Sequence, residues 1–333
     1  MTQTSEKTRK QTGERRAFDY MRGHVTCTVF ASLEIIGLLD ELAGRGLRAA
    51  DLGGNRFLAE ATLRYLAQRD VVTRTGTDVY QLTEAGRELY ADRGYLVWLS
   101  GGYGEALHHF GDLLTGKRRF GVDIDRNVRW VAVGTALAGQ QDLRPDVMRI
   151  LGEISFDRVA DIGCGNAHFL IAACQAAGGD GVGVDISPDA CAEARQELAK
   201  AGMTDRIAIY EADGTKAGTL PELEDVQLVV TFFFLHEVLE HGYDVLVGYL
   251  REICERLPAG AHMLTAEETP PAGEQDVPEL LTPEYSLTQA LMRQTLLTED
   301  GWREAFTEAG FEVPSIVHPN LPDCRLILAR KPN

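Results

Sequence analysis

The sequence lacks a hydrophobic run long enough to cross a membrane. Its best candidate, residues 226–235, is far shorter than the roughly 20 residues that a membrane-spanning helix needs. The polar start, MTQTSEKTRKQTGERR, has no apolar core of the kind found in secretory signals. The six cysteines include no C-x-x-C pair, which disfavours a disulfide framework or a structural zinc site. We therefore expect a cytoplasmic protein with reduced thiols and no membrane partner.

Positive charge is also scarce. The chain carries 33 basic and 50 acidic residues, a formal net charge of −17. Because contacts with nucleic-acid phosphates require a basic face, we expect no nucleic-acid partner. The 333 residues, 44% of them hydrophobic, are enough for two globular domains.

Residues 1–95 are predicted to form a small N-terminal domain. Residues 1–16 are expected to be a polar tail, and apolar residues at helical spacing predict helices over 18–42 and 58–68. The run VVTRTGTDVYQLT that follows is typical of a β-hairpin. Helix, helix and hairpin together form the outline of a winged helix.

A winged helix can bind DNA, but the arginines of this one are offset by acids, which favours packing or dimerisation. The residues concerned are Arg56, Arg64 and Arg69, with Glu60 and Asp70 as the acids. We predict a homodimer formed through residues 1–100. The apolar residues expected to form its patch are Ile35, Ile36, Leu38 and Leu39.

Residues 96–150 are predicted to be an aromatic-rich helical connector. Strands then alternate with helices across residues 151–333, which predicts βαβ units and a doubly wound, mostly parallel sheet. Within this pattern VQLVVTFFF is predicted as one strand and residues 238–257 as one helix. The closing runs FEVPSIV and CRLILAR are expected to pair antiparallel at the edge. The predicted fold class is α/β, with a Rossmann-like domain behind an N-terminal winged-helix domain.

The first strand of this domain runs into a glycine-rich loop, DIGCGNAH, which begins at Asp161. Gly163 and Gly165 allow the backbone to turn sharply and approach a ligand closely. The dinucleotide fingerprint requires Gly or Ala where this chain has His168, so that class is disfavoured. The loop has instead the D-x-G-x-G pattern of class I methyltransferases. An acid at its start favours a cationic ligand such as S-adenosylmethionine.

The next two strands also end in acids at the same sheet edge. Asp185 is placed to accept hydrogen bonds from the ribose hydroxyls of a ligand. Asp213 is placed to accept a hydrogen bond from the edge of its adenine. Three acids at successive strand ends predict a site for S-adenosylmethionine, with S-adenosylhomocysteine as product. The predicted cofactor residues are Asp161, Gly163, Cys164, Gly165, Asp185, Ile186, Asp213, Gly214 and Phe232.

His236 follows the fourth strand, in the run TFFFLHEV, where an imidazole can accept a proton near neutral pH. The fifth strand brings Glu267 and Glu268 to the same edge. We expect one of the two to orient His236, as a carboxylate fixes an imidazole tautomer, and the other to be solvated. The structural alternative is a histidine that only caps a buried strand.

Six segments resemble, in order, the plant-type small-molecule O-methyltransferase family that bacteria use in natural-product pathways. They are ASLEIIGLLDEL, YQLTEAGREL, VADIGCGNAHFL, FLHEV, LTEDGWREAFTEAGF and LILARKP, and the resemblance covers residues 18–331. It implies a winged-helix dimerisation domain, a Rossmann-like catalytic domain and a small-molecule methyl acceptor. It also implies that His236 is the base, and Glu267 matches the fifth-strand acid of the family.

Two departures from the family bear on the chemistry. Its members usually have His-Asp-Trp where this chain has His236-Glu237-Val238. Some relatives methylate the carbon beside the ketone of a 2-oxo acid, using a metal held by this histidine and a second one. This chain has Gln289 at the second position, and Gln is a poor transition-metal ligand. We therefore predict no metal site.

A hydroxyl of a natural-product intermediate is the favoured methyl acceptor, and an enolisable carbon, as in a 2-oxo acid, is the alternative. A subunit that binds the cofactor only as a scaffold is an alternative of another class. The intact glycine loop and His236 argue against it, because a scaffold does not need a base.

Overall fold

The computed structural model describes residues 15–270 and 282–333, so the predicted tail lies almost wholly outside it. The chain divides into two compact units, Met1–Gln141 and Asp142–Asn333. The predicted three-part division of the sequence stays a prediction. No helix in the described ranges combines the length and apolar character needed to span a bilayer.

The first unit consists of helices and one hairpin. Its helices are α1 (Arg16–Ile35), α2 (Leu39–Ala43), α3 (Arg56–Gln68), α4 (Glu84–Ala91), α5 (Arg93–Leu96), a π-helical turn (Val97–Gly102), α6 (Gly104–His108), α7 (Phe110–Leu114) and α8 (Val128–Asp142). Between α3 and α4, strands β1 (Val72–Thr75) and β2 (Val79–Leu82) pair antiparallel. This pairing confirms the predicted hairpin.

The prediction of one helix over residues 18–42 is wrong. Helix α1 ends at Ile35, and Gly37 has a φ of 75°, which only glycine adopts at little cost. The chain is redirected there before α2 begins. Leu39 consequently lies in the core of the first unit, whereas Ile36 is 61% exposed. These two residues do not share the single apolar patch that was expected.

The second unit is built on a seven-stranded sheet in the order β5-β4-β3-β6-β7-β9-β8. Its strands are β3 (Arg158–Ile162), β4 (Asp180–Asp185), β5 (Ile207–Glu211), β6 (Leu228–Phe232), β7 (His262–Glu268), β8 (Glu312–Val317) and β9 (Cys324–Arg330). Strands β3 to β7 are parallel, and β9 runs antiparallel to both β7 and β8. This confirms the predicted Rossmann-like sheet with an antiparallel pair at its edge.

Helices precede the sheet and connect its strands. They are α9 (Arg144–Glu153), α10 (His168–Ala177), α11 (Pro188–Ala201), a 3₁₀ turn (Ala217–Thr219), α12 (Leu235–Leu239), α13 (Tyr243–Arg256), α14 (Pro283–Met292) and α15 (Glu299–Glu308). The predicted single helix over 238–257 is therefore wrong. Gly242, with a φ of 117°, separates α12 from α13.

Strand β6 is shorter than predicted, because it ends at Phe232 and not at Phe234. His236 therefore lies in the first turn of α12, and not directly after the strand. The His236 side chain is therefore positioned by α12, and hydrogen bonds to Glu267 hold the start of that helix.

Strand β4 and helix α10 pack closely because β4 carries a glycine at their contact. A Cβ added to Gly181 would lie 2.8 Å from both Cys174 Sγ and Leu170 Cδ1. Glycine in a strand interior is typical of such a close approach. The contact fixes α10, and with it the end of the glycine-rich loop, against the sheet.

We expect Gly181→Ala to destabilise the second unit by about 1–3 kcal/mol, because the added methyl group overpacks α10 against β4. Gly248→Ala is the matched control, since Gly248 lies in α13 and a Cβ there would meet nothing within 4 Å. This control should be neutral or stabilising by up to about 1 kcal/mol. Urea denaturation followed by circular dichroism measures both. Equal stabilities of the two variants would contradict the packing argument.

Candidate active site

The carboxyl ends of strands β3 to β6 meet at one sheet edge, where ligands bind in open α/β folds. The loop after β3 turns there through three left-handed residues, Gly163, Gly165 and Ala167, with φ values of 81°, 52° and 62°. A Cβ on Gly165 would meet nothing within 4 Å, so the backbone borders open space. The loop can therefore approach a ligand closely at Gly165, and the assignment of Gly163 and Gly165 to a cofactor site stays a prediction.

Asp161 lies in β3 just before this loop and is only 4% exposed. Burial, and then the negative charge of Asp185, raise the pKa of Asp161 to about 7. No positive charge among the described residues acts to lower it. The site therefore contains a buried acid that a cationic ligand would stabilise in its ionised form.

Asp185 ends β4 and connects that strand to the glycine-rich loop. Its Oδ2 accepts a 2.9 Å hydrogen bond from the Gly165 N–H, and its Oδ1 accepts one of 2.9 Å from the Ser187 N–H. Each carboxylate oxygen retains a second acceptor position. Asp185 can therefore hold the loop and still accept hydroxyl groups from a ligand.

Asp213 follows β5 and is engaged by its own turn. Its carboxylate pairs with Lys216 at 2.8 Å and accepts hydrogen bonds from the Thr215 hydroxyl at 2.6 Å and the Thr215 N–H at 3.1 Å. These contacts, that with Lys216 first, lower the pKa of Asp213 to about 2. The carbonyl of Gly214 accepts a 2.9 Å bond from the Tyr249 hydroxyl. Local bonds thus occupy the carboxylate that the sequence assigned to adenine.

The other three predicted cofactor residues lie in different surroundings. Cys164 is buried inside the loop, and Ile186, directly after β4, is 67% exposed. The ring of Phe232 meets that of Phe169 edge-on, with 4.8 Å between their centroids. Ile186 offers an apolar surface beside Asp185, whereas Phe232 contacts helix α10.

Phe234 is a site residue that the sequence analysis missed. A Cβ on Gly163 would lie 3.2 Å from Phe234 Cδ2, and a Cβ on Gly214 would lie 3.1 Å from Phe234 Cζ. The ring therefore lies against both glycines. Phe233 turns the chain toward them with a φ of 53°, which is uncommon for an aromatic residue. Because TFFFL has the composition of a continuing strand, nothing in the periodicity signals this turn.

Glu267, in β7, is fully buried and holds the segment after β6 with three hydrogen bonds. Its Oε1 accepts the N–H groups of Phe234 at 2.9 Å and Leu235 at 2.6 Å. Its Oε2 accepts a 2.8 Å bond from His236 Nδ1. The first two bonds fix the start of α12, and the third orients the imidazole so that Nε2 faces away from Glu267.

The pKa of His236 results from opposing effects. Burial favours the neutral imidazole and alone would lower the pKa, since the side chain is only 12% exposed. The negative charge of Glu267 raises the pKa, and Glu237, whose Oε1 lies 3.6 Å from Nε2, raises it further. Together these two carboxylates raise the pKa by more than burial lowers it. The pKa is therefore raised above its usual value of 6.5. His236 therefore keeps its proton to a higher pH than an isolated imidazole, and Nε2 becomes available as a base as the pH rises.

The expectation that the second glutamate is solvated is wrong. Glu268 is partly buried, and its carboxylate accepts a hydrogen bond from Nε2 of Gln289, which α14 places beside it. Burial raises the pKa of Glu268 to about 7. Its acidic neighbours Glu267 and Asp323 act in the same direction, whereas His236 acts against them. The sequence pattern missed this pair because α14 is distant from β7 along the chain.

Gln289 is also the residue expected to replace a second metal ligand. Within residues 15–270 and 282–333, no three His, Cys, Asp or Glu side chains are grouped so that they could hold a metal ion. The absence of a metal from the reaction stays a prediction.

The chain is similar in sequence to a methyltransferase family model and to two named methyltransferases. A family model described as a methyltransferase domain matches residues 159–260. Indolepyruvate C-methyltransferase of Streptomyces griseus is 28% identical over 285 residues, which cover 83% of each chain. The 2-ketoarginine methyltransferase of Streptomyces arginensis is 30% identical over 276 residues, which cover 80% of this chain and 77% of that protein.

The fold is also similar to that of solved structures. The structure of PigF with S-adenosylhomocysteine aligns with a TM-score of 0.66 at 20% identity. The alignment covers 96% of this chain and 99% of that chain, so the similarity extends over both units.

We expect Glu267→Gln to lower the pKa of His236, because it removes the buried charge that favours the imidazolium. Glu237→Gln should lower it less, since this carboxylate lies 3.6 Å from the ring against 2.8 Å for Glu267. Titration of the histidine ring nitrogens by NMR gives the His236 pKa in the wild-type protein and in both variants. An unchanged His236 pKa in Glu267→Gln would refute the electrostatic account of the pair.

Proposed function

Because the chain belongs to the plant-type small-molecule O-methyltransferase family, in its bacterial natural-product branch with C-methyltransferase relatives, we propose that His236 and Glu267 remove the proton from the methyl acceptor. The chain is an S-adenosylmethionine-dependent methyltransferase that acts on a small molecule. The observation that carries the proposal is the 2.8 Å bond between His236 Nδ1 and the buried Glu267 carboxylate.

The residues at the ends of β3 and β4 fit S-adenosylmethionine, which when bound supplies a methyl group on a positively charged sulfur. The fit rests on Asp161, a buried acid whose charge no cation in the described part of the chain stabilises. Asp161 and Asp185 would favour the positive charges of the cofactor, Gly165 would leave space for its close approach, and Gly163 would turn the loop toward it. Asp185 would also accept the ribose hydroxyls. We place Cys164, Ile186, Gly214 and Phe232 around the bound cofactor. Asp213 would bind the adenine only if its ion pair with Lys216 opened.

Asp185→Ala should weaken S-adenosylhomocysteine binding by about 1.5–3 kcal/mol, because hydroxyl groups lose a charged acceptor. Asp180→Ala is the matched control, since Asp180 lies at the other end of the same strand and pairs with Arg206. Isothermal titration calorimetry gives both affinities. Equal affinities for the two variants would remove Asp185 from the cofactor site.

In the reaction, Glu267 keeps the proton of Nδ1 in place, so that Nε2 is the nitrogen that accepts the acceptor's proton. The raised pKa makes His236 a stronger base than an isolated imidazole, once it has lost its own proton. The acceptor would be left with an electron pair for the methyl group, which S-adenosylmethionine, held by Asp161 and Asp185, would supply as its methyl–sulfur bond breaks and S-adenosylhomocysteine is left. Burial of Glu267 and the start of α12 keep the imidazole in one orientation, which lowers the entropic cost of the step.

The preferred acceptor is an enolisable carbon beside the ketone of a 2-oxo acid. This preference differs from the hydroxyl favoured by the sequence, and it is supported by relatives that are 28% and 30% identical and named for indolepyruvate and 2-ketoarginine. Both of these compounds are 2-oxo acids. A strong base suits a carbon acid, and the imidazolium formed at rest would attract the carboxylate of such a substrate.

A hydroxyl is the second candidate acceptor, and Gln289 is the observation that favours it. The family resemblance implies a second histidine at this position in relatives that use a metal, and Gln289 offers no imidazole there. Ionisation of a phenol requires only a base, whereas a carbon acid gains more from a metal. His236 and Glu267 would have the same roles with either acceptor.

His236→Ala should leave cofactor affinity nearly intact and reduce turnover by about 10²–10⁴-fold, the usual contribution of a positioned base. His241→Ala, at an exposed position after α12, is the control. Incubation with a panel of 2-oxo acids and phenols, followed by mass spectrometry of the methylated product, identifies the acceptor class. The wild-type rate should rise with pH through a value above 6.5 and should resist a chelator. A fully active His236→Ala enzyme would exclude the base.

For the first unit we propose a winged-helix fold that forms a homodimer. The hairpin after α3 supports the fold, and large apolar side chains exposed on α1 and α3 support an interface, among them Tyr20 at 78% and Phe57 at 84%. Arg56 pairs with Glu60 at 3.0 Å, which reduces the positive charge available to nucleic acid. A cytoplasmic location stays a prediction.

Light scattering at micromolar concentration should give the mass of two chains. Phe57→Asp should shift it toward one chain, because a charge at the interface opposes association, and Arg74→Asp on the exposed hairpin should not. A wild-type monomer would refute the dimer.

A further inference from the structure

Gln289 has one end of its side-chain amide bound and the other end unpartnered. Its side chain is buried, with 2% of the residue exposed. Nε2 donates a hydrogen bond to Glu268 Oε2. Oε1 is withdrawn from water and has no hydrogen-bond partner in the part of the chain that the structure describes.

The bond to Glu268 determines which end of the amide is unpartnered. In its ionised form the Glu268 carboxylate can only accept a hydrogen bond, so Nε2 faces it. Rotation of the amide by half a turn would place two oxygens against each other. The Glu268 carboxylate therefore holds Oε1 in the unpartnered position, and a buried carbonyl without a donor is unfavourable unless something else supplies one.

This unpartnered oxygen belongs to the same group of side chains as the base. Glu268 is the residue after Glu267, and the charge of His236 acts on Glu268. His236 bonds to Glu267, and Gln289 in α14 bonds to Glu268, so successive residues at the end of β7 hold the two side chains.

We propose that Gln289 determines acceptor specificity, because its Oε1 accepts a hydrogen bond from an O–H or N–H group that the methyl acceptor carries in addition to its reacting atom. The inference rests on the proposed function and names the acceptor class more narrowly. Groups that can only accept hydrogen bonds, such as a methyl ether, would meet the oxygens of Gln289 and Glu268 and be disfavoured.

Matched acceptors that differ by one donor test the proposal. For a 2-oxo acid, 4-hydroxyphenylpyruvate is compared with 4-methoxyphenylpyruvate, and for a phenol, catechol is compared with 2-methoxyphenol. The wild-type enzyme should favour the hydroxyl member by about 10- to 100-fold in kcat/KM, because the analogue leaves Oε1 unpaired. The second pair keeps the test valid if 2-oxo acids are not substrates.

Gln289→Met keeps the length of the side chain and removes the oxygen, so the preference should fall to within about threefold of unity. Leu287→Ala, at a 46% exposed position of the same helix, should keep the wild-type preference. Circular dichroism establishes that each variant is folded.

The outcomes separate the two levels of the argument. If the enzyme turns over the phenols but not the 2-oxo acids, the preferred acceptor class is wrong. The catechol pair then tests the role of Gln289. Equal loss of both members in Gln289→Met, with the preference unchanged, means that Gln289 is only structural and overturns the inference. A wild-type enzyme without a preference in any pair that it turns over, or one that turns over neither pair, also overturns it.

Discussion

The buried carboxylate of Glu267 is the group on which the arrangement of the site depends. A charge without water around it must be compensated by nearby donors, and here three protein groups supply them: two backbone N–H groups and one imidazole. They belong to the three residues that follow Phe233, namely Phe234, Leu235 and His236. The need to compensate one charge on β7 therefore determines where β6 ends and where α12 begins.

Asp161 and Glu267 are both buried carboxylates of the same sheet, but their charges are compensated differently. The donors around Glu267 are present within the protein, so its charge is stabilised without a ligand. Among residues 15–270 and 282–333, the charge that acts on Asp161 is that of another acid, Asp185, and the pKa of Asp161 is raised to about 7. One end of the site is complete in the free protein, and the other becomes electrostatically favourable when a cation binds there.

The sequence was sufficient to predict the sheet, because alternation of strands and helices depends on local patterns, and β3, α10 and β7 lie close to where the patterns place them. It was also sufficient to single out His236 and Glu267, since strand ends converge at one edge. It was not sufficient for the turn at Phe233, the position of the Phe234 ring or the pairing of Gln289 with Glu268.

The turn at Phe233 has no glycine to signal it, because bonds from β7 impose it. The pairing of Gln289 with Glu268 joins residues that lie far apart along the chain. In both cases the determining contacts are tertiary, and neither periodicity nor composition contains them. The same limit applies to the break after α12, where Gly242 marks a possible turn but does not require one.

The left-handed Phe233 has a consequence for how this enzyme can fail. A bulky residue with a φ of 53° is strained by about 1–3 kcal/mol, and such a conformation persists only where its surroundings enforce it. If Phe233 relaxed to the right-handed region, the following residues would turn away from Glu267 and the imidazole would move with them. The sheet itself would not need to change. Activity could therefore be lost in a protein that remains folded, and a measurement of global stability would not detect the cause.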